Sequence, residues 1–553
     1  MKNRVPEWRS VRRDWLLHSM GHTEESIKRP WVAVVNSWSE MNPGHYHLRE
    51  LAQAVKRGIL MAGGTPLEFN TSSICDGFVV EKRLVLPFRD LIAFSTEMML
   101  RANSFSGAVF LTTCDKNVPA HLMAAARVNI PSIFVTGGPM LPGRFQGRDI
   151  VCCTDGRPMI GKFMAGDLTD AEFKTFSLTS HGSIGACGMM GTANTMQCLV
   201  EAMGMSLTGC ATTHAVSPAK YRCAEESGRR IMDLISADIK PSDIMTRDAM
   251  LNAIRVLLAI GGSTNGILHL LAISRETGDS LDLQLFEKLS HDTPFICNVR
   301  PSGKYTMQDF DAAGGIPVLM KYLQKQLQTE VLTVTGQTLE QNISGILPME
   351  NDVIRHPEAS LRKDGGISII HGNLAPEGAV VKRTAFPQKR IFHTGKARVF
   401  TSIKEVEQGL SEETLSLHED EILVLKYQGP KGAPGMPETH IPPIFYAKGL
   451  SDMLIITDGR TSGSTKGPMV LHITPEAADG GPIAIVEEGD AVRIDVENRK
   501  LDLLVSEEEI ARRLKSWIRP DLGKDPFVSG WIKQYVASVG SASNGAPVEC
   551  LIA

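Results

Sequence analysis

Short apolar runs alternate with longer amphipathic segments from about residue 30 to residue 360. The runs WVAVVNSW (31–38), GAVFLTT (107–113) and IPSIFVTGG (130–138) are rich in β-branched residues and bounded by turn formers. Runs of this kind predict buried strands. The segments 47–64, 194–209 and 263–278 instead carry apolar residues at helical spacing, the first at Leu48, Leu51, Ala52, Val55 and Ile59. The alternation predicts a parallel sheet with helices on its faces.

The pattern changes near residue 365, where short strands follow one another closely and are separated by Gly, Pro and Asp turns. These strands are expected within 365–383, 397–402, 421–430, 453–460, 482–496 and 500–506. Their density predicts a smaller β-rich domain that resembles a barrel. A final helix is expected at 506–517, with Ser506 as its N-cap. We therefore predict an α/β domain over 1–362 and a β-rich domain over 363–553.

Composition narrows the class of protein. The chain has 553 residues, of which 42% are hydrophobic and 22% charged, as in globular proteins with more than one domain. Its net charge of -4 provides no basic footprint for nucleic acid. The charged N-terminus is not a secretory signal, and no apolar stretch is long enough to span a bilayer. We expect a cytoplasmic protein that binds neither nucleic acid nor membrane.

The stretch LTTCDKNVPA (111–120) places a thiol, a carboxylate and an amine side by side as Cys114, Asp115 and Lys116. It follows a predicted strand and precedes a predicted helix. The triplet is either an ion pair beside an idle cysteine or the centre of an active site. The chain has ten cysteines and no C-x-x-C pair, so spacing alone indicates neither zinc nor a ferredoxin-type cluster.

Other candidate residues each have an ordinary structural explanation. Asp76 fits an Asp-Gly turn, Glu438 a solvated loop, and Ser462 a turn between glycine-rich segments. In GGSTNG (261–266), Ser263 or Thr264 could cap a helix or bind a carboxylate, and capping is the favoured interpretation. Taken singly, none of these residues identifies a site.

Taken together, the motifs resemble one family. FNTSSICDG, TTCDKNVPA, IPSIFVTGGPM, GACGMMGTANTMQCLVEAMGMSL, GGSTNGILHLL, YQGPKGAPGMPE and TDGRTSGSTKG occur in the order seen in the dihydroxy-acid dehydratase / 6-phosphogluconate dehydratase family. The resemblance covers roughly residues 30 to 540. It implies a two-domain α/β hydro-lyase that forms a homodimer or a dimer of dimers. It also implies an iron–sulfur cluster next to a Mg²⁺ ion.

The resemblance also implies roles for individual residues. Cys114 and Cys187 would ligate the cluster, and Asp76, Asp115 and Glu438 would bind Mg²⁺. Lys116 would join the Mg²⁺ site as a carbamylated lysine, since an ammonium has no acceptor for a cation. Ser462 matches the serine that abstracts the C2 proton of the substrate.

Two departures from the family pattern bear on these roles. Many members have a cysteine near the N-terminus in PCN-x-H, where this chain has NPGHYHL with Gly44. Cys75, which precedes Asp76, could replace it as the third ligand, and the cluster would then be [4Fe–4S] or [2Fe–2S]. The segment after Asp76 is shortened and carries Glu81, Lys82 and Arg83. If this segment lines the pocket, its charges favour a polar substrate. If the charges face solvent, they carry no information about the substrate.

We therefore expect dehydration of a 2,3-dihydroxy carboxylic acid, an aldonic sugar acid, to a 2-keto-3-deoxy acid. Dehydration of 2,3-dihydroxyisovalerate, in branched-chain amino-acid synthesis, is the first alternative. A non-catalytic iron–sulfur sensor on the same scaffold is the second.

Overall fold

A four-stranded parallel sheet forms the centre of the N-terminal part in the computed structural model. The structure describes residues 8–461, 463–521 and 524–549, and only the backbone of residues 8–10, 152 and 153. The strands are β1 (Trp31–Asn36), β2 (Thr65–Asn70), β3 (Gly107–Thr112) and β4 (Ser132–Thr136), in the order β2-β1-β3-β4. The predicted strands at 31–38, 107–113 and 130–138 are confirmed, whereas β2, a half-buried edge strand, was not predicted.

Helices cover both faces of this sheet and continue beyond it. The first six are α1 (Trp8–Ser19), α2 (Glu24–Lys28), α3 (Leu48–Met61), α4 (Val85–Asn103), α5 (Asn117–Val128) and α6 (Cys152–Met164), with a hairpin of β5 (Gly143–Phe145) and β6 (Arg148–Ile150) before α6. They are followed by α7 (Asp170–Thr179), α8 (Thr192–Ala202), α9 (Pro218–Ala237), α10 (Pro241–Ile244), α11 (Arg247–Ala259), α12 (Asn265–Glu276), α13 (Leu283–Asp292), α14 (Met307–Ala312), α15 (Gly315–Tyr322) and α16 (Leu339–Ile343). All five apolar positions predicted for α3 are buried. The helical spacing therefore identified the face that packs on the sheet.

The C-terminal part contains a closed eight-stranded barrel, as the density of strands predicts. Its strands are β7 (Ser368–Gly372), β8 (Ala375–Val381), β9 (Phe392–Phe400), β10 (Ile422–Leu425), β12 (Leu454–Thr457), β14 (Met469–Thr474), β15 (Ala491–Asp495) and β16 (Lys500–Leu503). Two short strands, β11 (Glu438–Thr439) and β13 (Arg460–Thr461), pair in parallel outside the barrel. The helices of this part are α17 (Ile403–Ser411), α18 (Pro443–Ala447), α19 (Glu507–Ser516) and α20 (Gly530–Ser538).

Strand β10 shows why the barrel strands are continuously apolar. Ile422 and Val424 belong to one buried cluster, and Leu423 and Leu425 to a second cluster that includes residues of α17 and α18. Successive side chains of a strand point to opposite faces, so a strand that is covered on both sides needs apolar residues at every position.

The C-terminal tail packs against the N-terminal part. Tyr535 of α20 and Leu86 of α4 lie in the same buried cluster, and the buried Arg89 guanidinium donates to the carbonyls of Gly545 (2.8 Å) and Ala546 (2.6 Å). The domain boundary at residues 362 and 363 and the homodimer stay predictions. Among the described residues, no helix is both long enough and apolar enough to cross a bilayer.

Candidate active site

The candidate residues of the N-terminal part follow the carboxyl ends of the parallel strands. Cys114, Asp115 and Lys116 lie between β3 and α5, and Asp76 lies in the loop after β2. In parallel α/β sheets this edge is where ligands bind. Cys114 has a φ of +59°, a left-handed conformation that is uncommon for a residue with a side chain. The strand-to-helix turn is therefore tightly constrained at the thiol.

Asn117, the first residue of α5, fixes the loop that carries Asp76. Its Oδ1 accepts from the amide of Ile74 (3.2 Å), and its Nδ2 donates to the carbonyl of Ser72 (2.7 Å). Because one side chain satisfies two backbone groups of this loop, the loop is held against the end of β3.

Three carboxylates converge at this point. One oxygen from each of Asp76, Asp115 and Glu438 lies within 4.8 Å of the others, and Glu438 comes from β11 on the barrel side. All three are largely removed from solvent, with 12% of the Asp76 side chain exposed, 18% of Asp115 and 6% of Glu438. Hard carboxylate oxygens at this spacing suit Mg²⁺.

The carboxylates do not titrate normally. Burial raises the pKa of Asp115 and of Glu438 to about 7, and the charge of Asp76 contributes to both increases. Burial also opposes the charge of Asp76, but the neighbouring Lys116 and Arg460 outweigh it and lower the pKa of Asp76. The cluster thus concentrates more negative charge than its protein surroundings neutralise.

Two buried cations accompany the carboxylates. Lys116 Nζ lies 3.4 Å from Asp76 Oδ2 and 3.8 Å from Asp115 Oδ2. The Arg460 guanidinium lies 2.6 Å from Glu438 Oε1 and 3.5 Å from Asp76 Oδ2, and its Nε donates to the carbonyl of Met436. Arg460 therefore holds Glu438 toward the residues of the N-terminal part.

Asn265 makes a second link between the two parts of the chain. From the first turn of α12, its Nδ2 shares two N–H groups among three acceptors: Glu438 Oε1 (3.2 Å), the carbonyl of Thr461 (3.1 Å) and Thr192 Oγ1 (3.1 Å). The sequence analysis named neither Asn265 nor Arg460 as functional. Both lie inside quoted motifs, but no pattern there shows that they would meet a carboxylate far away in the sequence.

A pair of thiols lies beside the carboxylates. The Cys75 and Cys114 side chains hydrogen-bond to each other, which lowers the pKa of Cys75 and, together with burial, raises that of Cys114. Cys114 Sγ also lies 3.4 Å from Asn42 Oδ1. A Cβ added at Gly44 would lie 2.6 Å from Cys114 Sγ, so the position that carries a cysteine in many relatives adjoins this thiol.

The segment of Cys187 reaches the same loop. The amide of Gly185 donates to the carbonyl of Pro43 (3.0 Å), next to Gly44. Ser462 lies outside the described residues. The neighbouring glycine, Gly463, packs closely on α8, since a Cβ there would lie 2.7 Å from the amide of Thr192.

Carboxylates and thiols that are largely buried thus lie together where the loops after the parallel strands meet the barrel side of the chain. Two family models match the chain: dihydroxy-acid/6-phosphogluconate dehydratase N-terminal over residues 29–342 and C-terminal over 352–546. The chain belongs to this family and is a hydro-lyase.

Several curated relatives are similar to this chain over almost their whole length. The chain is 45% identical to the dihydroxy-acid dehydratase of Moorella thermoacetica, with 97% of each chain covered. It is 43% identical to that of Methanothermobacter thermautotrophicus, with 96% covered, and 45% identical to that of Caldicellulosiruptor saccharolyticus, with 97% covered.

Proposed function

We propose that this chain removes water from a 2,3-dihydroxy carboxylic acid of the dihydroxyisovalerate type and forms the 2-keto acid. The observation that carries the proposal is the cluster of Asp76, Asp115 and Glu438 beside the Cys75–Cys114 thiol pair. The first set supplies hard oxygen ligands and the second soft sulfur ligands, so the site provides for two different metal centres.

The residues fit the two expected cofactors. Asp76, Asp115 and Glu438 would hold Mg²⁺, which when bound stabilises negative charge on the substrate carboxylate. Cys75, Cys114 and Cys187 would hold an iron–sulfur cluster, which when bound supplies a Lewis acid for the departing hydroxyl.

Gly44 supports Cys75 as the third ligand. A side chain at position 44 would require the Cys114 sulfur to shift, while Cys75 already contacts that thiol from the other loop. Many family members carry a cysteine at the position of Gly44. In this chain Cys75, from the loop after β2, would replace it as a cluster ligand.

The protein's own residues have separate tasks in this scheme. Arg460 and Asn265 orient Glu438, and Lys116 adds positive charge next to Asp76 and Asp115. Carbamylation would change Lys116 from a competing cation into an oxygen ligand. Ser462 is assigned proton abstraction at C2 by its match to the family motif, and its hydroxyl needs a nearby positive charge or N–H donors to act as a base.

The substrate class is revised from the sequence expectation. The aldonate interpretation relied partly on the charges at 81–83, but Glu81 pairs with Arg83 (3.1 Å) and Arg83 with Asp525 (2.6 Å). Lys82 Nζ also donates to the carbonyl of Asp76, so all three charges are engaged within the protein. The relatives described above are named dihydroxy-acid dehydratases, which favours the alternative over the sugar acid.

A substrate panel tests the proposal. Protein purified anaerobically with Mg²⁺ is assayed for 2-keto acid formation from 2,3-dihydroxyisovalerate and from pentonates and hexonates. We expect turnover of dihydroxyisovalerate with the highest kcat/KM. Turnover of aldonates alone would contradict the substrate assignment, and inactivity on the whole panel would contradict the reaction.

Variants test the site itself. Asp115→Asn is expected to abolish Mg²⁺ binding in calorimetry, whereas Asp309→Asn, at a helix cap elsewhere, should retain it. Cys75→Ala and Cys114→Ala should each lose the visible absorbance of the cluster. The control Cys297→Ala, in the buried core, should keep that absorbance. Full absorbance in Cys75→Ala would refute Cys75 as a ligand.

A further inference from the structure

A second group of buried polar atoms, outside the carboxylate cluster, has no hydrogen-bond partner among the residues that the structure describes. A narrow pocket is lined by Thr264, Lys382, Thr461, Thr465, Met469 and Leu471 among others. Lys382, at the end of β8, is 7% exposed, and its Nζ is buried without a hydrogen-bond partner among the described residues. Thr264 Oγ1 is buried and equally unpartnered. Burying an amine without an acceptor is costly, so this arrangement requires an explanation.

Other lysines show how the fold normally satisfies a buried ammonium. Lys220 is fully buried and donates to the carbonyls of Thr136 and Cys210. The partly buried Lys426 donates to the carbonyls of Ala484 (2.9 Å) and Val486 (2.8 Å). Lys382 Nζ has no such carbonyl acceptor among the described residues.

Thr264 is not explained by helix capping either. It precedes α12 but makes no side-chain cap bond, and the amide of Asn265 instead donates to Ser263 Oγ (3.2 Å). The capping function expected in GGSTNG therefore falls to Ser263. The hydroxyl of Thr264 is left to face the pocket together with Lys382.

The pocket adjoins the carboxylate cluster. Thr461 lines the pocket, and Asn265 Nδ2 contacts both the Thr461 carbonyl (3.1 Å) and Glu438 Oε1 (3.2 Å). The Asn265 amide thus contacts both a residue that lines this pocket and one of the proposed Mg²⁺ ligands. Met469 and Leu471 give the pocket an apolar wall, and in such surroundings an ammonium attracts an anion strongly.

We propose that Lys382 and Thr264 form an anion subsite that binds a carboxylate oxygen of the acid substrate. This inference rests on the proposed function, because it assumes that the substrate is a small carboxylic acid. The ammonium of Lys382 and the hydroxyl of Thr264 donate to the anion, and both unpartnered atoms are satisfied only when substrate is bound. Burial lowers the pKa of Lys382 to about 7, and a bound anion would favour the protonated amine again.

Binding of an acid that cannot react tests the subsite. The probe is 2-hydroxyisovalerate, which lacks the 3-hydroxyl and cannot be dehydrated, and its uncharged counterpart is 3-methylbutane-1,2-diol. Calorimetry is done anaerobically on the cluster- and Mg²⁺-containing protein. We expect Lys382→Met to weaken binding of the acid about 10- to 100-fold, the range for a lost charge-assisted hydrogen bond. Thr264→Val should weaken it about threefold to tenfold, and neither should change binding of the diol.

Thermal melting separates a binding role from a structural one. Lys382→Met removes an unsatisfied buried amine, so its Tm at neutral pH should equal or exceed that of the wild type. Lys382→Arg, which keeps the charge, should bind the acid within about threefold of the wild type. The matched control Lys426→Met loses two hydrogen bonds, so its Tm should fall while acid binding is unchanged.

Three results would overturn the subsite, and a separate one decides the proposed function. Acid binding by Lys382→Met within twofold of the wild type overturns the subsite, and so does a loss of binding accompanied by a lower Tm. Turnover of dihydroxyisovalerate by the wild type decides the proposed function separately. A wild type that fails to bind 2-hydroxyisovalerate at all overturns the subsite even if turnover is observed.

Discussion

Replacing Asn265 with alanine should weaken both the fold and the Mg²⁺ site. The two N–H groups of its Nδ2 are shared among three acceptors, which are Glu438 Oε1, the Thr461 carbonyl and Thr192 Oγ1. A bond to a charged acceptor is worth about 1.5–3 kcal/mol and a neutral one about 1 kcal/mol. Glu438 keeps Arg460 and Thr192 keeps Ser263, so part of this sum is retained. We expect Asn265→Ala to lower the free energy of unfolding by about 3 kcal/mol.

Asn252→Ala is a matched control. Asn252 is also fully buried, but its amide exchanges hydrogen bonds only with the backbone of Gln328, at 2.9 and 2.8 Å, within the N-terminal part. Its loss should cost about 2 kcal/mol and leave the metal site intact. Asn265→Ala, in contrast, frees Glu438 on one side, and loss of an outer partner of a metal ligand typically weakens metal binding about 10-fold or more.

Urea unfolding followed by tryptophan fluorescence gives the stability of both variants, and calorimetric Mg²⁺ titration gives their affinities. Equal Mg²⁺ affinity in the two variants would refute the linking function of Asn265. A stability loss below about 1 kcal/mol for Asn265→Ala would show that its hydrogen bonds contribute little.

Three further predictions follow from close packing, burial and charge. Gly44→Ala should reduce the visible absorbance of the cluster, because the added Cβ would lie 2.6 Å from Cys114 Sγ. The control Gly156→Ala, whose Cβ would have no atom within 4 Å, should not, and equal absorbance in the two variants would contradict the prediction. Folding lowers the pKa of Lys382 from 10.5 to about 7, so between these values the unfolded chain binds more protons than the folded one. The Tm of the wild type should therefore rise relative to that of Lys382→Met between pH 7 and 10, and a pH-independent difference would contradict this. Arg89→Met should lower the free energy of unfolding by about 3–5 kcal/mol and speed proteolysis of the C-terminal tail, and a tail as resistant as in the wild type would contradict it.

The sequence predicted those elements whose apolar spacing is decided by burial, either of one face or of both. The five apolar positions from Leu48 to Ile59 marked α3, and the continuous run in β10 marked a strand covered on both sides. It did not predict β2, because Thr65–Asn70 is a half-buried edge strand with Pro66 and Glu68 in it. Edge strands need no alternation and tolerate proline, so the periodic signal is lost there.

The site was predictable only in part, for a similar reason. Asp76 was paired with Asp115 only through the resemblance, because β2, the strand that precedes Asp76, was not predicted from the apolar pattern. Glu438 joined them only through the resemblance, since no local pattern relates it to residues more than 300 positions earlier. Asn265 lies in a motif that local reasoning explains as a helix cap, and Lys382 lies at the end of a run predicted as a strand. Only the packing shows the partners of Asn265 and the lack of one for Lys382.

The site depends on the junction between the parallel sheet and the barrel more than on either alone. Asp76 and Asp115 come from loops after β2 and β3, whereas Glu438 and Arg460 come from the paired strands β11 and β13. Two side chains, Asn265 and Arg460, connect these groups across the junction. A small movement of the barrel would separate Glu438 from the other carboxylates without unfolding either part. Metal affinity should therefore respond to substitutions in the junction before global stability does, since a divalent ion needs all its ligands within a few ångströms.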